Sequence, residues 1–258
     1  MNPGRKKTKF LEILLVISAL IMGVLIVMLV YRGRQKGLIE AGELEERPLA
    51  GAYPMPSEII ESDRNVYFAY TEIPDMIFEK MNKVSYVEGA PVAREDLRYL
   101  SILYWGMDKT AHKGELIVHK DIADKVSLAF FKLYRASYTI ESVRLVDEFG
   151  GNDEVSMAKN NTSAFNARQV VGGNGWSMHA YGLAIDINPF YNPYVDEEGN
   201  VLPLGAEQYA DREQAFVMKI TTSDYAYQVF TSLGFSWGGD WTGVKDYQHF
   251  EYVLEDMN

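Results

Sequence analysis

An uncharged, apolar run from Ile13 to Tyr31 most strongly constrains how this chain of 258 residues can fold. At a rise of about 1.5 Å per residue, a helix of this length spans roughly 28 Å, close to the thickness of the apolar interior of a bilayer. No face of the run is polar, which does not suit a buried core helix. No cleavage site of small residues follows it, which does not suit a signal peptide. We therefore expect a transmembrane anchor at residues 13–31.

The charges on either side of this run predict its orientation and exclude one class of partner. Residues 1–36 contain seven Lys or Arg and one Glu, whereas the whole chain has a net charge of −11. A short basic tail at residues 1–12 favours a cytoplasmic N-terminus. The rest of this single-pass membrane protein is then an extracytoplasmic domain. Because that domain is strongly acidic, it would repel phosphate groups, and we expect no nucleic-acid partner.

The segment after the anchor divides into a linker and one domain. Residues 32–65 are charged and rich in turn-forming residues such as Pro48 and Pro54, which predicts a stalk. In residues 66–258, strand and helix patterns mix without a regular βα repeat. This favours an α+β fold, with a small, largely antiparallel sheet flanked by helices. The chain has no cysteine, which excludes a disulfide framework and cysteine-ligated zinc.

The spacing of apolar residues predicts the elements of this domain. Strands are predicted at Val66–Tyr70, Glu115–His119, Ile140–Val146, Leu183–Asn188, Phe235–Trp237 and Gln248–Val253. Helices are predicted at Ile73–Met81, Arg94–Tyr104, Asp121–Ala136 and Ser223–Leu233, the last with Ser223 as its N-cap. Residues 149–168 are predicted to form a long polar loop, and such loops in compact domains are often functional.

The segment WSMHAYGLAIDIN, Trp176–Asn188, joins a histidine to an aspartate on an apolar strand. Its His179 and Asp186 are either a satisfied polar pair in the core or half of a metal site. Without cysteine, a zinc site must combine His with Asp or Glu, and Gly182 permits a tight turn between the two residues. His249, in the segment DYQHFEY, offers a third ligand. Three protein ligands and one open position are typical of a catalytic zinc ion (Zn2+).

Asp246, three residues before His249, is the predicted base for an attacking water molecule. Residues three apart on a regular strand face opposite sides, so we expect Asp246 to lie in the turn that leads into the strand. The other two histidines are not predicted ligands. His112 lies in a turn and is expected at the surface, and His119 ends a strand, either beside the site or in a structural role.

These segments resemble a known family of zinc peptidases with the hedgehog-type fold. SMHAYGLAIDIN is similar to the Ser-x-His-x-x-Gly-x-Ala-x-Asp motif of VanY-like D-alanyl-D-alanine carboxypeptidases and the related L-alanyl-D-glutamate endopeptidases. WGGDW and DYQHFEY resemble the C-terminal segments of these enzymes, and the resemblance covers about residues 114–252. It implies that His179, Asp186 and His249 bind zinc and that Asp246 is the catalytic carboxylate.

The resemblance also implies two further residues and a function. Relatives carry an Arg in a Ser-Gly-Tyr-Arg segment where this chain has SAFNAR, so Arg168, displaced in register, is the candidate that polarises the substrate carbonyl. Ser177 either orients His179 or only bonds local backbone. The implied function is hydrolysis of peptidoglycan stem peptides, at a terminal D-Ala or between L-Ala and D-Glu, and the surrounding segments favour the endopeptidase-like branch. The alternative is a non-catalytic, zinc-containing binding module of the same fold.

Overall fold

The computed structural model describes residues 53–170 and 175–257 of the chain. The predicted cytoplasmic tail, the predicted anchor at residues 13–31 and the first part of the predicted stalk, residues 32–52, lie outside these ranges. Within the described ranges, none of the helices has the length and apolar character needed to span a bilayer.

Short strands and short helices alternate along the described residues, as an α+β fold predicts. The strands are β1 (Ala69–Thr71), β2 (Leu97–Trp105), β3 (Ala111–His119), β4 (Ser142–Val143), β5 (Asn161–Thr162), β6 (Ala184–Asp186), β7 (Tyr194–Val195), β8 (Val201–Leu202), β9 (Ser236–Trp237), β10 (Lys245–Asp246) and β11 (His249–Glu251). The α-helices are Arg64–Tyr67, Asp75–Met81, Ala123–Arg135, Asp153–Ala158 and Tyr225–Ser232. The strand pairs are antiparallel apart from the parallel pair β4–β5, so the predicted α+β fold with largely antiparallel pairing is confirmed, although the described strands form four small sheets instead of one.

The first sheet, in the order β1-β2-β3, is built on a long antiparallel hairpin. The helix Ala123–Arg135 packs against it, because apolar residues at helical spacing give that helix one buried face. The prediction of a helix at Arg94–Tyr104 is wrong, because most of this segment forms the strand β2. In β2 the buried residues Leu97, Leu100 and Leu103 have a helix-like spacing, but the strand pairs with β3 along its whole length. Pairing with a distant segment overrides the local pattern.

The second sheet, in the order β6-β11-β9, meets the helical layer through aromatic residues. Phe250 of β11 stacks on Phe230, with ring centroids 4.7 Å apart. Phe230 in turn makes an edge contact with Phe130 of the helix Ala123–Arg135, at 6.3 Å. Because side chains alternate along a strand, the burial of Phe250 in this core turns the residues on either side of it to the opposite face.

The folded domain extends further towards the N-terminus than its predicted boundary at residue 66. Ile59 is buried in the core, and the hydroxyl of Tyr134 donates a hydrogen bond to the carbonyl of Pro54. Residues 53–65, which were assigned to the stalk, therefore pack as part of the domain. The strand predicted at Val66–Tyr70 is replaced by the end of a helix followed by β1.

The structure corrects three other predictions of secondary structure. The helix predicted from Ser223 begins at Tyr225 instead, because the Asp224 carboxylate accepts the capping hydrogen bond from the Ala226 N–H at 2.8 Å. Only β4 forms within the strand predicted at Ile140–Val146. The predicted polar loop at residues 149–168 contains the helix Asp153–Ala158, capped by the side chain of Asn152, and then β5.

Candidate metal centre

Two ligand candidates lie opposite each other on neighbouring strands. His249 of β11 pairs with Asp186 of β6 in the antiparallel register. Directly opposed residues share a face, with Cβ atoms about 4.5–5.5 Å apart, so both side chains project to the same side of the sheet. Ile185, next to Asp186, is buried in the core behind the sheet. The alternation of β6 explains why an otherwise apolar strand carries an aspartate.

One turn of 3₁₀-helix, Met178–Tyr181, brings His179 to this pair. Ser177 caps the turn, because its hydroxyl accepts a hydrogen bond from the backbone N–H of His179 at 3.3 Å. The turn ends at Gly182 with φ of 70°, and a Cβ there would lie 2.7 Å from the backbone nitrogen of His119. Only glycine fits this turn without strain. Ser177 thus fixes the backbone of His179, and its hydrogen bond is not to the imidazole.

The donor atoms of the three side chains converge on a small volume. His179 Nε2 lies 3.1 Å from His249 Nδ1 and 3.2 Å from Asp186 Oδ2. His249 Nδ1 lies 3.1 Å from Asp186 Oδ1. Tetrahedral zinc, with ligand bonds of about 2.0 Å, keeps its ligand atoms roughly 3.3 Å apart. The spacing of these buried side chains therefore fits a zinc ion.

Hydrogen bonds on the far side of each imidazole determine which nitrogen faces the centre without a proton. His179 Nδ1 lies 2.5 Å from the carbonyl oxygen of Ala164, which can only accept, so Nδ1 carries the proton. On the far side of the other ring, His249 Nε2 lies 3.3 Å from Glu251 Oε2. When the outer nitrogen of each neutral imidazole carries the proton, His179 Nε2 and His249 Nδ1 each direct a lone pair towards the Asp186 carboxylate. Three acceptors that meet without a proton form a site for a cation.

The charges around the centre also favour a cation. Burial would lower the pKa of His249, but its hydrogen bonds to Asp186 and Glu251 raise it to about 10. Burial would raise the pKa of Asp186, but His179 and His249 hold it below its usual range. Protons and a cation therefore compete for the same lone pairs, so metal binding at this centre should depend on pH.

Asp246 lies beside the ligands on a strand of another sheet. It belongs to β10 and is paired with Tyr194 of β7 in the sheet β10-β7-β8. The turn predicted for Asp246 is thus a two-residue strand, and β11 begins only at His249 after a break at Tyr247 and Gln248. Because the break interrupts the strand alternation, Asp246 and His249 line the same cavity, which has a volume of about 250 Å³.

The carboxylate of Asp246 is poorly solvated and incompletely hydrogen bonded. Burial raises its pKa to about 6. Its Oδ1 is buried and has no hydrogen-bond partner among the described residues. The backbone of Gly238 packs closely behind it, since a Cβ on Gly238 would lie 2.6 Å from the carbonyl oxygen of Asp246. A carboxylate that has one oxygen without a donor and a pKa close to neutrality is suited to general-base catalysis.

Arg168 lines the same cavity, but its charge is already paired. Its Nη2 lies 2.8 Å from Asp153 Oδ2, while its Nε is buried with no partner among the described residues. Sequence reasoning missed Asp153, although its position in the segment 149–168, predicted to be a functional loop, was a signal for it. It also missed Ala164, whose role depends on a backbone carbonyl and leaves no side-chain signal.

The two histidines that were not predicted as ligands lie apart from the centre. His112 Nε2 contacts Asp108 Oδ1 at 2.9 Å in the β2–β3 hairpin. His119 caps a 3₁₀-helix by accepting from the Asp121 N–H at 3.3 Å. Within residues 53–170 and 175–257, one group of at least three His, Asp or Glu side chains has donor atoms that all lie within 4.8 Å of one another. That group is the predicted set of His179, Asp186 and His249.

Comparison with known proteins supports the motif-based prediction. Residues 171–252 match a family model described as D-alanyl-D-alanine carboxypeptidase. This segment contains the three candidate ligands and Asp246, and the match confirms the resemblance to the VanY-like zinc peptidases. It begins after Arg168, so the resemblance predicted for residues 114–170 stays a prediction. No curated protein and no solved structure matches the chain significantly.

Proposed function

We propose that the domain is a zinc-dependent peptidase that hydrolyses peptide bonds in peptidoglycan stem peptides. The observation that carries this proposal is the convergence of two imidazole lone pairs and a carboxylate, 3.1–3.2 Å apart, on the wall of a cavity that Asp246 also lines. The family match to D-alanyl-D-alanine carboxypeptidases supports the class of substrate.

The candidate ligands, Asp246 and Arg168 would have distinct roles in this reaction. Zinc held by His179, Asp186 and His249 would polarise the scissile carbonyl and lower the pKa of a water molecule towards about 7. Asp246 would take the proton of the attacking water and pass it to the leaving amine. Arg168, oriented by Asp153, would stabilise the negative charge that develops on the carbonyl oxygen.

The charge of the cavity bears on which bond of the stem peptide is cut. Removal of a terminal D-Ala calls for a cation that binds the free carboxylate of the substrate. Among the described residues that line the cavity, Arg168 is the only Lys or Arg, and it already pairs with Asp153 at 2.8 Å. This favours internal cleavage, between L-Ala and D-Glu, over the removal of D-Ala.

A peptidoglycan substrate also bears on where the domain works. The cell wall lies outside the cytoplasmic membrane, so the domain would have to be extracytoplasmic. This is the orientation predicted for an anchor at residues 13–31 with a basic tail before it. We therefore propose a membrane-tethered enzyme that acts on the wall from its inner side.

The test is incubation of the zinc-loaded chain with stem peptides of defined sequence, with mass spectrometry of the products. The wild type should yield the fragments of a cut between L-Ala and D-Glu, and His249→Ala should yield none. His112→Ala is the matched control, because it removes an imidazole outside the cavity and should leave hydrolysis unchanged. Release of D-Ala alone would assign the carboxypeptidase reaction. A zinc-loaded wild type that binds the peptides and releases nothing would identify a binding module instead.

A further inference from the structure

Glu251 lies on the same face of β11 as the candidate ligand His249. Residues two apart on a strand point the same way, and Phe250 between them is buried in the core. Strand β11 is paired on one side with β6 and on the other with β9, so its backbone is fixed from both sides. The sheet therefore holds Glu251 next to His249 without the help of a loop.

The Glu251 carboxylate contacts the edge of the His249 imidazole that faces away from the centre. Its Oε2 lies 3.3 Å from Nε2, while Nδ1 of the same ring lies 3.1 Å from Asp186 Oδ1. Both carboxylates are acceptors, and each would bind the single proton of a neutral imidazole. If the proton is on Nδ1, where it bonds to Asp186, that nitrogen has no lone pair for a metal ion. If the proton is on Nε2, where it bonds to Glu251, the lone pair of Nδ1 is free to bind a metal ion.

The two imidazoles of the centre differ in the group that supports them. His179 is held by the backbone carbonyl of Ala164, which is neutral and fixed by the fold. His249 is held by a charged side chain that is about 20% exposed and lines the cavity. A hydrogen bond to a charged acceptor is about twice as strong as one between neutral groups. The ring that lies next to Asp186 at Nδ1 is thus the one whose outer nitrogen faces a charged acceptor.

We propose that Glu251 is a positioning residue of the metal centre, which keeps the proton of His249 on Nε2 and so presents Nδ1 to the zinc ion. The inference rests on the proposed zinc function. The carboxylate has a second effect, because with Asp186 it places two negative charges against the His249 ring, which favours a doubly charged cation. Hydrogen-bond partners of metal-bound histidines typically contribute 10- to 100-fold to metal affinity.

The test is the zinc dissociation constant of the full chain, measured by competition with a coloured chelator. Glu251→Ala should weaken zinc binding by about 10- to 100-fold. Glu251→Gln keeps an amide oxygen that accepts from Nε2–H, so it should recover most of that loss. Thermal unfolding of the zinc-free proteins serves as the check on folding. Because the Glu251 side chain contacts the cavity rather than the core, both variants should keep a cooperative unfolding transition.

Asp153→Ala is the matched control, since it removes a carboxylate from the same cavity that touches neither imidazole of the centre. Its zinc affinity should stay within about fivefold of the wild type, as expected for a partly exposed charge. Wild-type affinity in Glu251→Ala would overturn the proposal, and so would an equal loss in Glu251→Gln or in Asp153→Ala. Each of these results would refute the role of Glu251 without refuting the proposed zinc function. A wild-type chain that binds no zinc would instead refute the proposed function, and with it the role of Glu251.

Discussion

Asp246→Asn replaces a buried carboxylate by an amide of nearly the same shape, and the structure predicts opposite effects on catalysis and stability. Without a general base, the turnover number should fall by about 100- to 10,000-fold. Zinc content should not change, because Asp246 is not among the three side chains that converge on the centre. The variant should therefore be folded, loaded with zinc and nearly inactive.

The zinc-free variant should be more stable than the zinc-free wild type above neutral pH. Burial raises the pKa of Asp246 from 3.8 to about 6, so the folded state binds this proton more tightly than the unfolded state does. Stability of the wild type should then fall as the pH rises from about 4 through 6. The difference between a pKa of 3.8 and one of about 6 corresponds to at most roughly 3 kcal/mol, because Asp246 borders the cavity and is only half-buried. The Asp246→Asn variant has no carboxyl group to titrate at this position, so its stability should not fall for this reason as the pH rises.

The assay is thermal unfolding of both zinc-free proteins between pH 4 and pH 8. For a domain of this size, 3 kcal/mol corresponds to roughly 6–12 °C in Tm. The two Tm values should agree near pH 4 and diverge by up to that amount at pH 8. Glu154→Gln, which removes an exposed carboxylate, is the control and should follow the wild type. Parallel profiles for Asp246→Asn and the wild type would refute the reasoning, and zinc loss in the variant would make Asp246 a ligand.

Two glycines give further predictions. Gly182→Ala should lower the free energy of unfolding by at least about 1–2 kcal/mol, because it combines a left-handed backbone with a Cβ only 2.7 Å from the His119 nitrogen. Denaturant unfolding measures this, and an unchanged midpoint would contradict it. Gly238→Ala should lower the turnover number and keep the zinc, since the three atoms nearest to its Cβ, at 2.6–3.3 Å, all belong to Asp246. Peptide hydrolysis and metal analysis of one preparation test this, and wild-type turnover would show that Asp246 tolerates the shift.

The convergence of His179, Asp186 and His249 could be predicted from the sequence because metal binding restricts residue types so strongly. With no cysteine and four histidines, few combinations were possible, and the tight turn at Gly182 had a local signal. The environment of Asp246 could not be predicted in this way. Its strand pairs with β7, about fifty residues earlier, and no local pattern records that pairing. The ion pair of Arg168 with Asp153 is hidden for the same reason.

The errors in secondary structure have a similar cause. β2 has buried leucines at helical spacing, and only its pairing with β3 makes it a strand. Both Ser223 and Asp224 are good N-cap residues, and the sequence alone does not decide between them. Glu251 is an intermediate case. Its position two residues after His249 was visible, but its contact depends on β11 being a regular strand with Phe250 turned into the core.

The position of β11 in its sheet determines when the candidate metal centre can assemble during synthesis. β11 is the last strand of the described chain, yet it lies in the middle of its sheet, between β6 and β9. Synthesis proceeds from the N-terminus, so these two strands have no shared neighbour until residues 249–251 have been made. Asp186 contacts His249, which lies 63 residues further along the chain. A chain that has been made only as far as residue 248 therefore lacks one of the three candidate ligands, and the centre can be completed only after β11 has been synthesised.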